Sequence, residues 1–362
     1  MKAVVSNNGL PNRFINLALG KNTGQRCTIK EIDVPTITAT EILVKVKNVA
    51  LNPIDTKNID AIAAPGRIIG CDFAGTVEKV GESARSTWTV GDRVAGFVHG
   101  GMYPDRGAFA EYLKADADLA WKIPAEVSDA EATTFGISGC TAVLCVNERL
   151  GLRSSEGAPA SSSPAANGST VFIYGGSTMA GLFSIQIAKN AGCSVITTAS
   201  PHSFELVKKY GADSVFNYRS PTVVDEIIKA HPNITMGVDC FSEGKSASIC
   251  EGVLKAGKGR LLTLQPTAKA SSPDVTVEPI LCFTMFGSAF QMLAPIGPKF
   301  ASEPKDREAL AKFFAALPQL ITSKALQPPP ITIIEGGFEG IEKGMNQLRA
   351  GEVSGKKLVV QF

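Results

Sequence analysis

The sequence predicts an α/β protein in two parts: a β-rich first part, then a doubly wound parallel sheet. Three observations carry this expectation. Short β-branched runs punctuated by glycine fill the stretch before Pro124. Strand-like and helix-like segments alternate from Thr170 onward, and a glycine-rich turn, Gly175-Gly-Ser-Thr-Met-Ala-Gly181, separates the first of those strands from its helix. A length of 362 residues suits two compact units.

In the first part, 41–50 has the alternation of a strand, and 75–81 and 92–96 read as shorter ones. Nothing before Pro124 has a long helical period. From Ser128 the pattern changes. Residues 129–150 are helix-like, with Ser128 as N-cap and Glu131 three residues on, the spacing of a capping box. The Ser-, Pro- and Ala-rich run 154–168 offers nothing to bury and reads as a solvated loop. Strands are expected at 170–174, 194–198, 214–216, 237–240 and 260–264, with helices at 180–191, 204–210, 223–230 and 246–254. Such alternation indicates βαβ units with right-handed crossovers. The tail adds helices at 306–323 and 341–350 and strands at 331–334 and 357–360.

Lys and Arg number 36 against 34 Asp and Glu, a formal net charge of +2. That balance argues against a protein built around nucleic-acid phosphates. Hydrophobic residues at 44% and charged residues at 19% exclude global disorder. The uncharged run 279–298 contains Thr284, Gly287, Ser288, Gln291 and Pro295, which suits a buried strand and loop better than a membrane span. Eight cysteines are scattered with no Cys-x-x-Cys pair, and the N-terminus shows no long apolar stretch. Reduced thiols and a cytoplasmic location are the expectation.

The strand Thr170-Val-Phe-Ile-Tyr174, its turn and the following helix would aim backbone N–H groups and a helix N-terminus at a pyrophosphate. A glycine cluster alone is weak, since ordinary α/β connections are also glycine-rich; the strand–turn–helix context makes it a dinucleotide site. An NAD enzyme places Asp or Glu after the second strand to hold the ribose 2′-hydroxyl. This chain has Ser200 and His202 there, with Lys208, Lys209, Tyr218 and Arg219 downstream, which favours NADPH. Ser200 could equally be a helix N-cap.

With these pieces assembled, the chain resembles the medium-chain dehydrogenase/reductase superfamily over nearly its whole length. The resemblance rests on Asn52-Pro-Ile-Asp-Thr-Lys57, the stretch from Gly70 to Gly81, Val90-Gly-Asp-Arg-Val94, Gly107-Ala-Phe-Ala-Glu-Tyr112 and Gln186 with Lys189. Within it, the chain is similar to the zinc-independent, trans-acting enoyl reductases of fungal polyketide synthases, the lovastatin-pathway type. Tyr174-Gly-Gly-Ser-Thr178, Ser200-Pro-His-Ser-Phe204, Met285-Phe-Gly287 and the stretch from Gly351 to Val359 carry that closer likeness. It implies a GroES-like catalytic domain at 1–130, completed by 310–362, and a Rossmann NADPH-binding domain at 131–309. Two departures stand out: Thr178 and Met179 replace glycines of the quinone-reductase turn, and Gly139-Cys140 reads as an insertion beside Thr141.

Zinc-dependent members carry an early Cys, a Gly-His-Glu motif and a four-Cys lobe. Here Asn52 stands near the first position, Cys71-Asp72 replaces His-Glu, and His99, His202 and His231 lack ligand spacing, so no metal is expected. Without a Lewis acid, charge developing on a carbonyl must be met by hydrogen-bond donors, which suits reduction of a conjugated C=C to an enolate.

The resemblance implies Lys57 and Thr141 as catalytic residues. Lys57 would bind cofactor or polarise the acceptor, although single lysines are mostly solvated charges. Thr141 would offer its hydroxyl beside nicotinamide or thioester, or else back-bond to the previous helical turn. Asp55 could pair with Lys57 or cap a turn. Cofactor contacts would come from Ile54, Asp55, Thr56 and Lys57, from Ser177, Thr178, Met179 and Ala180, and from Ser200, Pro201, His202, Ser203 and Phe204. Tyr218, Leu264, Gln265, Val353 and Ser354 would complete them. Thr141, Ala142, Val143, Leu144, Cys145, Val146, Asn147 and Glu148 would line the acyl chain, with Thr284, Met285, Phe286, Gly287 and Ser288. The implied partner is an acyl carrier domain of a polyketide synthase, met by a monomer; carrier domains are commonly acidic, and Lys299, Lys305 and Arg307 are candidates to face one. A free-standing quinone or enone reductase and a non-catalytic NADPH-binding regulator are the alternatives.

Overall fold

Val171, Phe172 and Ile173 have no exposed surface, and the strand they form, Thr170–Tyr174 (β1), sits within a parallel sheet. The computed structural model describes residues 1–19, 26–153, 168–265 and 272–362. Among them, five further strands join β1: Ser194–Ala199 (β2), Ser214–Asn217 (β3), Met236–Asp239 (β4), Arg260–Thr263 (β5) and Thr276–Pro279 (β6). All pairings are parallel and the order is β3-β2-β1-β4-β5-β6. This is the Rossmann arrangement, in which the strand order reverses beside β1 and opens a crevice at the carboxyl ends of the strands. The central strands are apolar on both faces because helices cover both. The helix after β1, Met179–Asn190 (α1), is buried from Gly181 to Ala188. Every strand and helix expected between Thr170 and Thr263 is present, with ends shifted by no more than one residue. The loop expected at 154–168 lies outside the described residues except for Gly168.

This sheet belongs to one of two compact units, Ser138–Cys282 with Ser323–Gln327; the other comprises Met1–Ile137, Phe283–Thr322 and Pro328–Phe362. The dividing points therefore fall at 137/138 and 282/283, where 130/131 and 309/310 were expected. Aromatic packing accounts for the second shift. The Phe283 ring stacks on His99 at 3.9 Å and Phe286 meets Phe97 at 4.7 Å, while Arg307 pairs with Asp116 and Asp118.

In the first unit a sheet runs Ile331–Ile334, Lys357–Gln361, Glu41–Ala50, Asp72–Val80, Arg93–Phe97 and Ala120–Lys122, with Tyr112–Asp116 also on Glu41–Ala50. Lys357–Gln361 lies antiparallel to Glu41–Ala50, Val360 opposite Val49. Ile42, Val44, Phe73, Val94 and Val360 make its core.

Two expectations need correction. Helix 129–150 is broken into Asp129–Ala132, a 3-10 turn Thr133–Phe135, Ile137–Val143 and a π-turn Leu144–Arg149. Its capping box is formed: Glu131 N donates to Ser128 Oγ and Ser128 N to Glu131 Oε2. The break falls at Gly136, ψ −115°, where the next amide, Ile137 N, donates 2.7 Å to Asp72 Oδ1 instead of continuing the helix. Second, a helix Leu10–Leu19 stands where no helical period was read. It buries Arg13 and Asn16 and exposes Phe14, Leu17 and Leu19, the inverse of an ordinary surface helix. In the run 279–298, expected as a buried strand and loop, a 3-10 turn Cys282–Phe286 precedes a two-residue strand Phe290–Gln291. Among the described residues no helix is long and apolar enough to cross a membrane.

Candidate active site

In the second unit, β1 ends at Tyr174 and the chain turns at Gly175 with φ +75°. Gly175 N donates to Thr198 Oγ1 and Gly176 N to Thr198 O, fastening the turn to β2. A Cβ on Gly181 would meet Gly175 O at 2.4 Å, so glycine there lets α1 pack directly onto the turn. Thr178, found where the quinone-reductase pattern has glycine, is the N-cap of α1: its Oγ1 accepts from Gly181 N at 3.0 Å. Leu182 N bonds Thr178 O, which leaves the Met179 and Ala180 amides as the open donors of the first turn. That cradle fits a pyrophosphate.

Ser177–Ala180 follow β1, Ser200–Phe204 follow β2, Tyr218 follows β3, and Leu264 and Gln265 follow β5, so these expected contacts share the carboxyl edge of one sheet. Ser200 does not cap through its side chain; its Oγ donates to Tyr218 Oη at 3.2 Å, and Arg219 lies 5.3 Å over the Tyr218 ring. Hydroxyls and a guanidinium therefore stand where an NAD enzyme has a carboxylate. Leu264 N is held by Ser242 Oγ, and Gln265 Nε2 donates to Glu243 Oε1. Thr141 is buried in Ile137–Val143, and among the described residues its hydroxyl has no back-bond to the preceding turn. Ala142 to Val146 are buried with it, while Asn147 and Glu148 are half-buried and Glu148 pairs with Arg153.

In the first unit, Asn52-Pro-Ile-Asp-Thr-Lys57 opens as the short helix Pro53–Lys57, which ends on the half-buried Lys57. Asp55 takes the capping role: Asn52 N donates 2.8 Å to its Oδ2. Around it lies a fully buried polar cluster that the sequence did not assemble. Asn52 Nδ2 donates to Asp72 Oδ2 at 3.0 Å, and the Lys357 ammonium donates to both Asn52 Oδ1 and Asp72 Oδ2. Burial, then the charges of Asp55 and Asp72, push the Cys71 thiol well up, so it stays protonated. Asn52 and Asp72, two of the residues at the zinc-ligand positions, thus hold an ammonium ion. Among the described residues no three His, Cys, Asp or Glu side chains are grouped for a metal.

Asp55 is itself pushed up to about 7, first by burial and then by Asp72. Its ordinary value is 3.8, so between those values the folded chain holds a proton that the unfolded chain has released. Stability should fall as pH rises through that window and level off above it. Asp55→Asn is expected to remove this slope, worth up to about 4 kcal/mol, and to gain relative stability at pH 8 over pH 5. Thermal melts at both values test this; equal slopes in the two proteins would refute it.

The remaining expected positions are also in the first unit. Met285 is fully buried, Thr284 Oγ1 donates to Asp306, and Phe286 and Ser288 line a small aromatic pocket with Phe97, His99 and Tyr103. Gly287 adopts φ +75°. Val353 packs on the β core and Ser354 is exposed. Of the candidate carrier-facing cations, Lys299 and Lys305 are exposed, but Arg307 is engaged by two aspartates. Ile54–Lys57, 284–288 and 353–354 therefore fall in one unit, and 141–148 with the sheet-edge positions in the other.

A glycine cradle at a Rossmann switch point, with a separate β unit closed by its own C-terminal strand, defines a nicotinamide-dependent oxidoreductase. Residues 38–125 match the alcohol dehydrogenase GroES-like domain and 180–297 the zinc-binding dehydrogenase family. Trans-enoyl reductase thnE of Trichoderma harzianum is 36% identical over 355 residues, 95% of either chain. Trans-enoyl reductase ACTTS2 of Alternaria alternata is 36% identical over 338 residues, 92% of this chain and 95% of its own. The structure of CurK enoyl reductase superposes at TM-score 0.72 with 19% identity over 99% of both chains. The quinone oxidoreductase of Coxiella burnetii does so at 0.70 with 20% identity, over 100% of this chain and 99% of that one. The chain belongs to the trans-enoyl reductase family of the medium-chain dehydrogenase/reductase superfamily. It is an oxidoreductase acting on a CH–CH bond.

Proposed function

We propose that the protein reduces the α,β-double bond of a polyketide enoyl thioester carried on an acyl carrier domain, working as a cytoplasmic monomer with NADPH. The observation that carries the cofactor choice is the end of β2 and β3, where Ser200, Tyr218 and Arg219 meet without a carboxylate. A 2′-phosphate meets no repulsion there and gains a guanidinium. Two relatives named as trans-enoyl reductases, each matched over more than nine-tenths of its length, support the substrate class.

When bound, the dinucleotide supplies a hydride to the β-carbon, and the α-carbon takes a proton. The chain's residues do the rest. The Met179 and Ala180 amides and the positive end of α1 hold the pyrophosphate. Lys57 is assigned to the thioester carbonyl, donating as it gains enolate charge, and the Thr141 hydroxyl is assigned a donor role beside nicotinamide or thioester. With no metal in this scheme, those donors carry the electrostatic stabilisation, and loss of one such donor typically costs about a hundredfold or more.

The test is NADPH consumption with an α,β-unsaturated acyl-pantetheine. Turnover is expected, with Lys57→Ala lowering kcat by about a hundredfold. A protein that binds NADPH yet oxidises none above background is not a reductase of this kind. Faster turnover of small quinones than of pantetheine thioesters would reassign the substrate.

A further inference from the structure

Arg13 is only 2% exposed, yet it forms no ion pair among the described residues. Its guanidinium donates through Nε to Ala61 O at 2.9 Å, through Nη1 to Ala294 O at 3.1 Å and through Nη2 to Ile62 O at 2.6 Å. Those three bonds use three of its five N–H groups, and the other two have no acceptor among the described residues. Burial alone pulls its pKa down, and no neighbouring acid opposes that shift. The closest candidate in sequence, Asp60, is already held by Arg349 at 2.8 and 2.9 Å and by Arg26 at 3.6 Å.

Arg13 borders a small pocket open to solvent, whose wall also includes Arg67, Asn58 and His99. Arg67 forms no ion pair among the described residues, and no Asp or Glu lines the space. Phe283 and Met292 give it an apolar side. His99, 5% exposed and stacked on Phe283, makes no side-chain hydrogen bond among the described residues, so it offers the cavity a neutral donor or acceptor. A buried guanidinium costs several kcal/mol unless an anion meets it, and the guanidinium fork suits carboxylate and phosphate oxygens.

We propose that this cavity is an oxyanion subsite, in which Arg13 and Arg67 hold the carboxylate or phosphate of an amphipathic small molecule while Phe283 and Met292 take its apolar body. The inference goes beyond the reductase reading and depends on neither cofactor nor turnover.

Calorimetric titration with two matched pairs of probes tests it: octanoate against 1-octanol, and 4′-phosphopantetheine against pantetheine. At least one anion is expected to bind about tenfold or more tighter than its neutral counterpart. Preference in the first pair identifies a carboxylate ligand, in the second a phosphate. Arg67→Met, a change at a half-buried residue with no ion pair to break, should abolish the preference and leave the melting temperature within about 1 °C. Arg13→Met should abolish it too if that protein folds. Equal binding of anion and neutral probe, no binding of any probe, or a preference that survives in Arg67→Met would each overturn the proposal.

Discussion

Asp72→Ala is expected to destabilise the first unit by about 3–5 kcal/mol, read as a fall in melting temperature of roughly 10 °C. Asp72 is fully buried, and its two oxygens take the Lys357 ammonium, the Asn52 amide and the Ile137 N–H. Removing the carboxylate strands an ammonium that is 2% exposed and opens the backbone bond that fixes the break at Gly136. The sharper prediction concerns the pair. Asp72→Leu with Lys357→Met removes both charges together, and the double variant should recover most of the loss, because a buried ion pair gains little over well-packed apolar groups. A single variant costing less than about 1 kcal/mol, or a double one as damaged as the single, would show that the charges are not coupled.

The second large effect lies at the cofactor cradle. Gly181→Val should weaken dinucleotide binding by about tenfold to a hundredfold. Even one added carbon at Gly181 would stand 2.4 Å from Gly175 O and 2.8 Å from Gly176 Cα, and both are backbone atoms that cannot swing aside. The turn must open, which moves the Met179 and Ala180 amides off the pyrophosphate. Fluorescence titration with NADPH measures this; unchanged affinity would place the cradle elsewhere.

How much of this was legible in sequence divides along the two units. The parallel sheet could be read almost residue by residue, because continuous apolar strands between glycine-punctuated helices have few other solutions. Helix Leu10–Leu19 could not, since the residues it buries are Arg13 and Asn16, which bond to backbone carbonyls 44 to 281 positions away. No periodicity rule detects a helix held in place by its polar face. The break at Gly136 was hidden for a related reason: residues 129–150 have an unbroken helical pattern, and what interrupts it is a carboxylate from position 72. Among candidate site residues, those after the strands followed from the βαβ pattern. Asn52, Cys71 and Asp72 stood out as family stretches and as replaced zinc ligands, and Lys357 as the first residue of a strand, but nothing in the sequence linked the four. A lysine inside an apolar C-terminal strand, which opens Lys357-Leu-Val-Val360, was the available signal.

That strand has a consequence for how the molecule is made. Lys357–Gln361 lies inside its sheet, between Ile331–Ile334 and Glu41–Ala50, and delivers the ammonium to Asp72. On a ribosome, the opening β segments emerge long before the piece that must slot between them. Until position 361 clears the exit tunnel, one edge of Glu41–Ala50 stays unpaired and Asp72 has no counter-charge, so the early segments must wait in a partly open state that chaperones would shield.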